Sequence, residues 1–222
     1  MNLNKLITGL IITLVSGFAF AANDTPPEVT VDGLHRVEGT KMALVYAKPG
    51  VDLSQYNRIY LTPPQIAFAK HWLSMQNSIP NQHVTTDDMQ RIKADLADLF
   101  TEVFKQELQN NGGYVLVDGI ADDVLIVHPA IVDLNVIAPD TPGTRGTRSA
   151  IASAGSMSLY MELVDSVTGD VIIKAYDNKF DRTSIRIQAP NNVRNKAAAT
   201  DMLGEWAQIL RKALDEARTI VR

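Results

Sequence analysis

Four aspartates in the second half of the chain, Asp133, Asp165, Asp177 and Asp181, fall on or at the ends of segments that read as β-strands, where aspartate is disfavoured. Asp177 and Asp181 are four residues apart and so share one face of a regular strand. Two carboxylates about 5–9 Å apart can serve glycoside hydrolysis, and a third can complete a calcium site. Asp133, Asp177 and Asp181 are therefore the carboxylate candidates. The plainer reading is a solvent-facing acidic strand end, with Asp165 capping a turn. It is preferred, because no acid/base partner in a perturbed environment is visible, and no catalytic residue is assigned.

Other chemistry is thinner. His35, His71, His83 and His128 are far apart and match neither H-x-x-x-H nor H-E-x-x-H, so no metal and no cofactor is expected. His128 precedes Pro129 inside an apolar run and reads as a hydrogen-bonded core or bulge residue. The serines of "ASAGSMS" lack the G-x-S-x-G elbow of a hydrolase. "PGTRGTRS" places Arg145 and Arg148 on a glycine-rich stretch that lacks the G-K-[ST] ending of a P-loop. Arg182, Arg186, Arg194 and Lys196 add positive charge to a second long connection. Together the two form a candidate basic patch for an anionic glycan or lipid. Solvated loop charge is the plainer alternative. Tyr46 and Tyr56 belong to an early aromatic cluster of the kind enriched at binding hot spots, or equally in core packing.

The balance of 21 basic and 25 acidic residues argues against nucleic-acid or anionic-membrane binding. The chain begins "MNLNKLITGLIITLVSGFAFA": one lysine, an apolar run from Leu6 to Val15, then Ala19 and Ala21 in an A-x-A arrangement. As a helix the run spans about 15 Å, roughly half a bilayer's hydrocarbon core. The pattern predicts a signal peptide over 1–21, cut after Ala21, a periplasmic product and no stable transmembrane segment after cleavage. With no cysteine in the chain, disulfides, thiol nucleophiles and lipid attachment through cysteine are excluded.

Residues 22–40 read as an extended lead-in and 41–222 as one domain. From Arg58 to Ala69 the residues suit a strand, which Pro63 and Pro64 restrict to an edge or a bulge. "KHWLSMQNSIPNQH" reads as a surface loop with Trp72 tucked beneath it. Met89, Ile92, Leu96, Leu99, Phe100, Val103, Phe104 and Leu108 recur at helical spacing. Thr85 or Thr86 can cap that helix, and Asn111-Gly112-Gly113 stops it. Four β-rich runs follow: "YVLVD", "DDVLIVHPAIVDLNVIA", "SMSLYMELVDS" and "GDVIIKAYDNKFDR". In the third, Met157, Leu159, Met161 and Leu163 alternate with Ser158, Tyr160 and Glu162, the period of a half-buried strand. "DSVTGD" predicts a hairpin. A second helix is expected from about Ala197 to Ile220. The order strand, helix, four strands, helix predicts an α+β two-layer sandwich. Its mixed, mostly antiparallel sheet has about five strands, with both helices packed on one face.

"VYAKPGVDLSQYNRIYL" (45–61), "LVDSVTGDVI" (163–172) and "WAQILRKALDEAR" (206–218) resemble domain of unknown function family 3313, bacterial envelope proteins described as lipoproteins. The resemblance covers roughly residues 31–220. It implies export and an α+β domain and supplies no catalytic residues. Members often carry a lipid-bearing cysteine after the leader, where this chain has alanine. The favoured expectation is a non-catalytic exported protein that binds another envelope protein or complex. The alternative is a periplasmic binder of anionic glycan or lipid through the basic loops, and the third is a carboxylate-dependent hydrolase.

Overall fold

The computed structural model describes residues 25–80, 82–136, 155–180 and 192–220, with backbone alone at 192–196 and 220. Among them are eight strands and three α-helices. The strands are β1 (His35–Arg36), β2 (Leu44–Ala47), β3 (Arg58–Leu61), β4 (Gln65–Phe68), β5 (Val115–Leu116), β6 (Val124–Asn135), β7 (Ser156–Asp165) and β8 (Val171–Phe180). The helices are α1 (Trp72–Asn77), α2 (Thr86–Lys105) and α3 (Asn192–Ile220). One sheet runs β1-β2-β8-β7-β6-β3-β5, with β4 also on β6. The fold is mixed α/β. The four strands expected after the long helix are all present, whereas four rather than one precede it.

The single strand expected over Arg58–Ala69 is two, β3 and β4. Both run parallel to β6, against its first and second halves respectively. Between them lies Thr62-Pro63-Pro64, whose two prolines cannot donate to a ladder. The complementary gap is in β6 itself. The Val127 carbonyl accepts from the Thr62 N–H at 3.1 Å, so the backbone of Val127 faces β3. Pro129, two residues on, turns its hydrogen-free nitrogen to the same edge, where Pro63 and Pro64 make no pairing. Three prolines thus meet at one break in the ladder, and β6 stays continuous against β7 on its other edge.

Alternation on β7 sends Met157, Leu159, Met161 and Leu163 into a core shared with Leu96, Phe100 and Phe104 of α2 and Leu203, Trp206, Leu210 and Leu214 of α3. The start of α2 is a reciprocal cap. Thr85 Oγ1 accepts from the Asp88 N–H at 3.2 Å, and Asp88 Oδ2 accepts from the Thr85 N–H at 2.8 Å. Helix α1 replaces the expected loop. Six residues are too few to show a period, and Trp72 anchors them. The buried indole stacks on Phe68 at 4.2 Å between centroids and donates to the Val136 carbonyl at 3.0 Å. Helix α3 begins at Asn192, ahead of the expected Ala197. No helix among the described residues is long and apolar enough to cross a membrane.

After Lys105 the helix widens into a π-helical turn, Gln106–Asn111. The turn carries the buried Glu107 to Arg211 of α3, whose Nε donates to it at 2.7 Å. Gly112 ends the turn against α3. A β-carbon there would lie 2.8 Å from both the Leu108 carbonyl oxygen and Tyr114 Cδ2. Gly112→Ala should therefore destabilise the domain by about 1–3 kcal/mol, the usual cost of overpacking, measured as a lower midpoint in urea denaturation. A variant as stable as the parent would show that the turn yields freely.

Candidate functional site

The face of the sheet turned away from α2 and α3 is built by the other half of the alternation. In register across the strands lie Tyr46 of β2, Lys174 of β8, Glu162 of β7 and His128 of β6. The adjacent row is Tyr176, Tyr160, Ala130 and, on β4, Gln65. Asn178, Ser158 and Val132 form a third. On β7 the faces thus differ in kind: Met157, Leu159, Met161 and Leu163 turn to the helices, and Ser158, Tyr160 and Glu162 to the other side.

These polar groups are held by one another. Lys174 Nζ lies 2.6 Å from Asp32 and 3.7 Å from Glu162, and the Tyr160 hydroxyl donates to Glu162 at 3.2 Å. Burial and the neighbouring Glu162 carboxylate push the Tyr160 phenol above its ordinary value. His128 is half-buried, and its Nδ1 is 3.1 Å from Thr62 Oγ1. The same hydroxyl lies 3.1 Å from the Val127 carbonyl, so it joins the imidazole to the backbone of the preceding residue. Burial lowers the imidazole pKa against the opposing pull of Glu162, which favours the neutral form.

One end of the rows is covered by the chain's own start. Residues 28–36 fold as a small hairpin, with Val29 bridged to His35 and Gly33 in the left-handed region at φ 81°. Its turn delivers Asp32 to Lys174, and Tyr46, fully buried beneath, donates its hydroxyl to the Pro27 carbonyl at 2.8 Å. The segment expected as an extended lead-in therefore joins the sheet through β1.

The residues singled out from sequence scatter. Asp177 points into the helix-side core, where the Trp206 indole N–H donates to it at 2.8 Å and the Ala43 N–H at 3.2 Å. Asp133 is exposed, at φ 52°, in a bulge of β6. Asp181, Arg145, Arg148 and Arg186 lie outside the described residues, and Arg194 is described by its backbone alone, within α3. Tyr46 and Tyr56 are both buried and serve internal packing. The Tyr56 hydroxyl donates to Asp165 at 2.7 Å, and burial, then Asp165, push its pKa up to about 12. Asp165 caps the β7–β8 turn as expected, accepting from the Val167 and Thr168 N–H groups at 3.0 and 2.8 Å. His128, expected as a hydrogen-bonded core or bulge residue, is half-buried in β6 with the Thr62 hydroxyl beside it. Gln65, Ala130 and Lys174 of the same face carry no sequence signal beyond their parity along the strands. Among the described residues no three histidine, cysteine or acidic groups converge to hold a metal ion.

Comparison with known proteins adds a family and remote likenesses. The family described as "Protein of unknown function (DUF3313)" matches residues 29–210. No curated protein matches the sequence. Among solved structures, a variant PelC dodecamer from Paraburkholderia phytofirmans is similar over 75% of this chain and 95% of its own, at 11% identity and TM-score 0.41. A neuraminyllactose-binding hemagglutinin homolog from Helicobacter pylori is similar over 75% and 90%, at 11% identity and TM-score 0.38. A DUF4136 family protein from Bacteroides thetaiotaomicron is similar over 74% and 95%, at 10% identity and TM-score 0.31.

Asp177→Ala should cost about 1–3 kcal/mol, because it strands the buried Trp206 N–H; denaturant titration with tryptophan fluorescence reads this directly, and an unchanged stability would remove the structural role. Asp165 gives a pH signature. The Thr168 N–H, then the Tyr56 hydroxyl, hold its carboxyl below the ordinary range. Its contribution is complete above the unfolded-state value of about 3.9 and is lost as pH falls through the lower folded value. The stability gap between parent and Asp165→Asn should therefore be constant near neutrality and shrink below about pH 4. A gap that widens with acid would reverse the assignment.

Proposed function

Since this chain belongs to the DUF3313 family, whose function is unknown, we propose from its own chemistry that it is an exported, non-catalytic binding module of the bacterial envelope, engaging a second component through the helix-free face of its sheet. One observation carries this reading. Among the described residues, two register rows made largely of polar and aromatic side chains lie on a face that no helix covers and that the N-terminal hairpin covers only at its Tyr46 end. Rigid elements hold those side chains, which lowers the entropy lost on binding. The hydrolase reading loses its best acid, because both Asp177 oxygens are taken up by the Trp206 and Ala43 N–H groups.

A protein partner and an anionic glycan or lipid are two forms the second component can take. The basic segments bear on the latter. Asn135 pairs with Ser156 and Ser156 with Phe180, so the connections carrying Arg145, Arg148 and Arg186 are attached at one end of the sheet. That common attachment supports a composite basic site over two separate ones. Export through a cleaved leader supports encounter with either class.

A photo-crosslinking residue placed at Gln65 or Asn178, both exposed on this face, should give adducts in intact cells, while the same residue at Lys105 or Gln208 on the exposed helix surface should not. Protease treatment of the adduct separates a protein partner from a glycan or lipid. The recovered chain should begin at Ala22 in the periplasmic fraction. Equal labelling from both surfaces, or none from the sheet face, would overturn the proposal.

A further inference from the structure

We infer that Asn111 is a latent modification site: its side-chain amide, followed by Gly112, is a substrate for spontaneous deamidation, and the π-helical turn holds that reaction off while the domain is folded. The inference is independent of any partner. Asparagine is among the thermolabile residue types. Its amide carbon is attacked by the backbone nitrogen of the next residue, and a glycine there, without a β-carbon, leaves that nitrogen least hindered. Asn111-Gly112 is the one such pair in the chain. The fold cannot trade the glycine away, because a β-carbon at 112 would lie 2.8 Å from both the Leu108 carbonyl oxygen and Tyr114 Cδ2.

In the reaction the Gly112 nitrogen bonds to Asn111 Cγ, the Cγ–Nδ2 bond breaks, and the proton of the Gly112 N–H leaves with Nδ2 as ammonia. Water then opens the cyclic imide. Attack at one carbonyl gives aspartate, and attack at the other gives isoaspartate, whose main chain runs through the side chain. Both reacting groups are tied to Glu107. The Gly112 N–H donates to the Glu107 carbonyl at 3.0 Å, which turns the nitrogen away from the Asn111 side chain. Asn111 Nδ2 donates to Oε2 of the same glutamate, which fixes the amide that would have to rotate. Glu107 is in turn buried and held from α3 by Arg211 Nε at 2.7 Å. Exposure is no part of this protection, since Asn111 itself is exposed and water reaches it. Conversion would undo its own restraint. A carboxylate at 111 has no N–H to give Glu107 and repels it across one helical turn. Isoaspartate also adds a carbon to the main chain of a turn that fits closely against Leu108 and Tyr114.

The test follows Asn111 by peptide mass spectrometry on the exported form of the chain, incubated in mildly alkaline buffer with and without unfolding urea. Conversion reads as the mass gain of an amide becoming an acid, and isoaspartate as a second, separately eluting peptide. In the unfolded chain Asn111 should convert first among the asparagines. In the folded chain its rate should be at least about tenfold lower, because reaction then proceeds only through local opening. Glu107→Gln leaves one side-chain oxygen where Asn111 and Arg211 use two. It should raise the rate about tenfold in protein that tryptophan fluorescence shows still folded. Should that variant not fold, Asn111→Asp, the reaction's own product, takes its place and should unfold at a lower urea concentration than the parent. Equal rates in the folded and unfolded chain, or faster conversion at another asparagine once unfolded, would overturn the assignment. So would a folded Glu107→Gln variant that converts no faster than the parent, or an Asn111→Asp variant as stable as the parent.

Discussion

Pro129 has no N–H to give, yet it lies in the middle of the strand on which three others pair. A proline there is tolerable only if its nitrogen faces an edge where no ladder bond is required. The break between β3 and β4, itself made by Thr62-Pro63-Pro64, supplies that edge. The two interruptions are one feature seen from both sides. Its consequence reaches the candidate site. Because β3 ends at Leu61, Thr62 is released to bond the Val127 carbonyl and, through the same hydroxyl, the His128 imidazole. The proline gap therefore sets the orientation of the histidine beside it.

From β6 the arrangement propagates through strict alternation. β7 is buried on both faces for most of its length, and the two faces solve burial differently. Toward the helices the solution is apolar contact, where each buried Leu or Met contributes about 1.5–3 kcal/mol. On the other side Glu162 and Lys174 are largely withdrawn from solvent and engage each other, Asp32 and the Tyr160 hydroxyl. Such pairs add little net stability, and losing one partner is costly. They specify instead: only one placement of the N-terminal hairpin brings Asp32 to Lys174 and Pro27 to Tyr46 at once. The first residues of the domain are thereby built into the edge of the polar face.

What was legible in the sequence follows from the length of the pattern. The eight apolar positions from Met89 to Leu108, the alternation of Met157 through Leu163 and the Gly169 turn each repeat a period several times or carry a turn residue with one mechanism, and each became the element expected. The pieces that escaped are too short for any period to show: β1 at two residues, β2 at four, α1 at six. Tertiary anchors hold them, among them Tyr46 on Pro27 and Trp72 on Phe68 and Val136. The π-helical turn left no mark in sequence either. An extra residue is absorbed there so that Glu107 can meet Arg211, a partner about a hundred positions away. The candidate site was hidden for a related reason. His128, Ala130 and Gln65 are unremarkable singly and become neighbours only through strand register.

Carboxylates show most plainly why residue type alone misleads in this chain. Asp177 and Glu162 both sit mid-strand, on neighbouring strands of one sheet, and both are buried. Parity separates them. The side chain of Asp177 falls on the helix side, where its charge is spent on an indole and a backbone amide. That of Glu162 falls on the open side, in a row that continues through His128 to the proline gap. A carboxylate on the first face can only serve the fold. One on the second engages Lys174 and the Tyr160 hydroxyl and sets the sign of the charge directly opposite His128, so residue type acquires its meaning only from the face on which register places it.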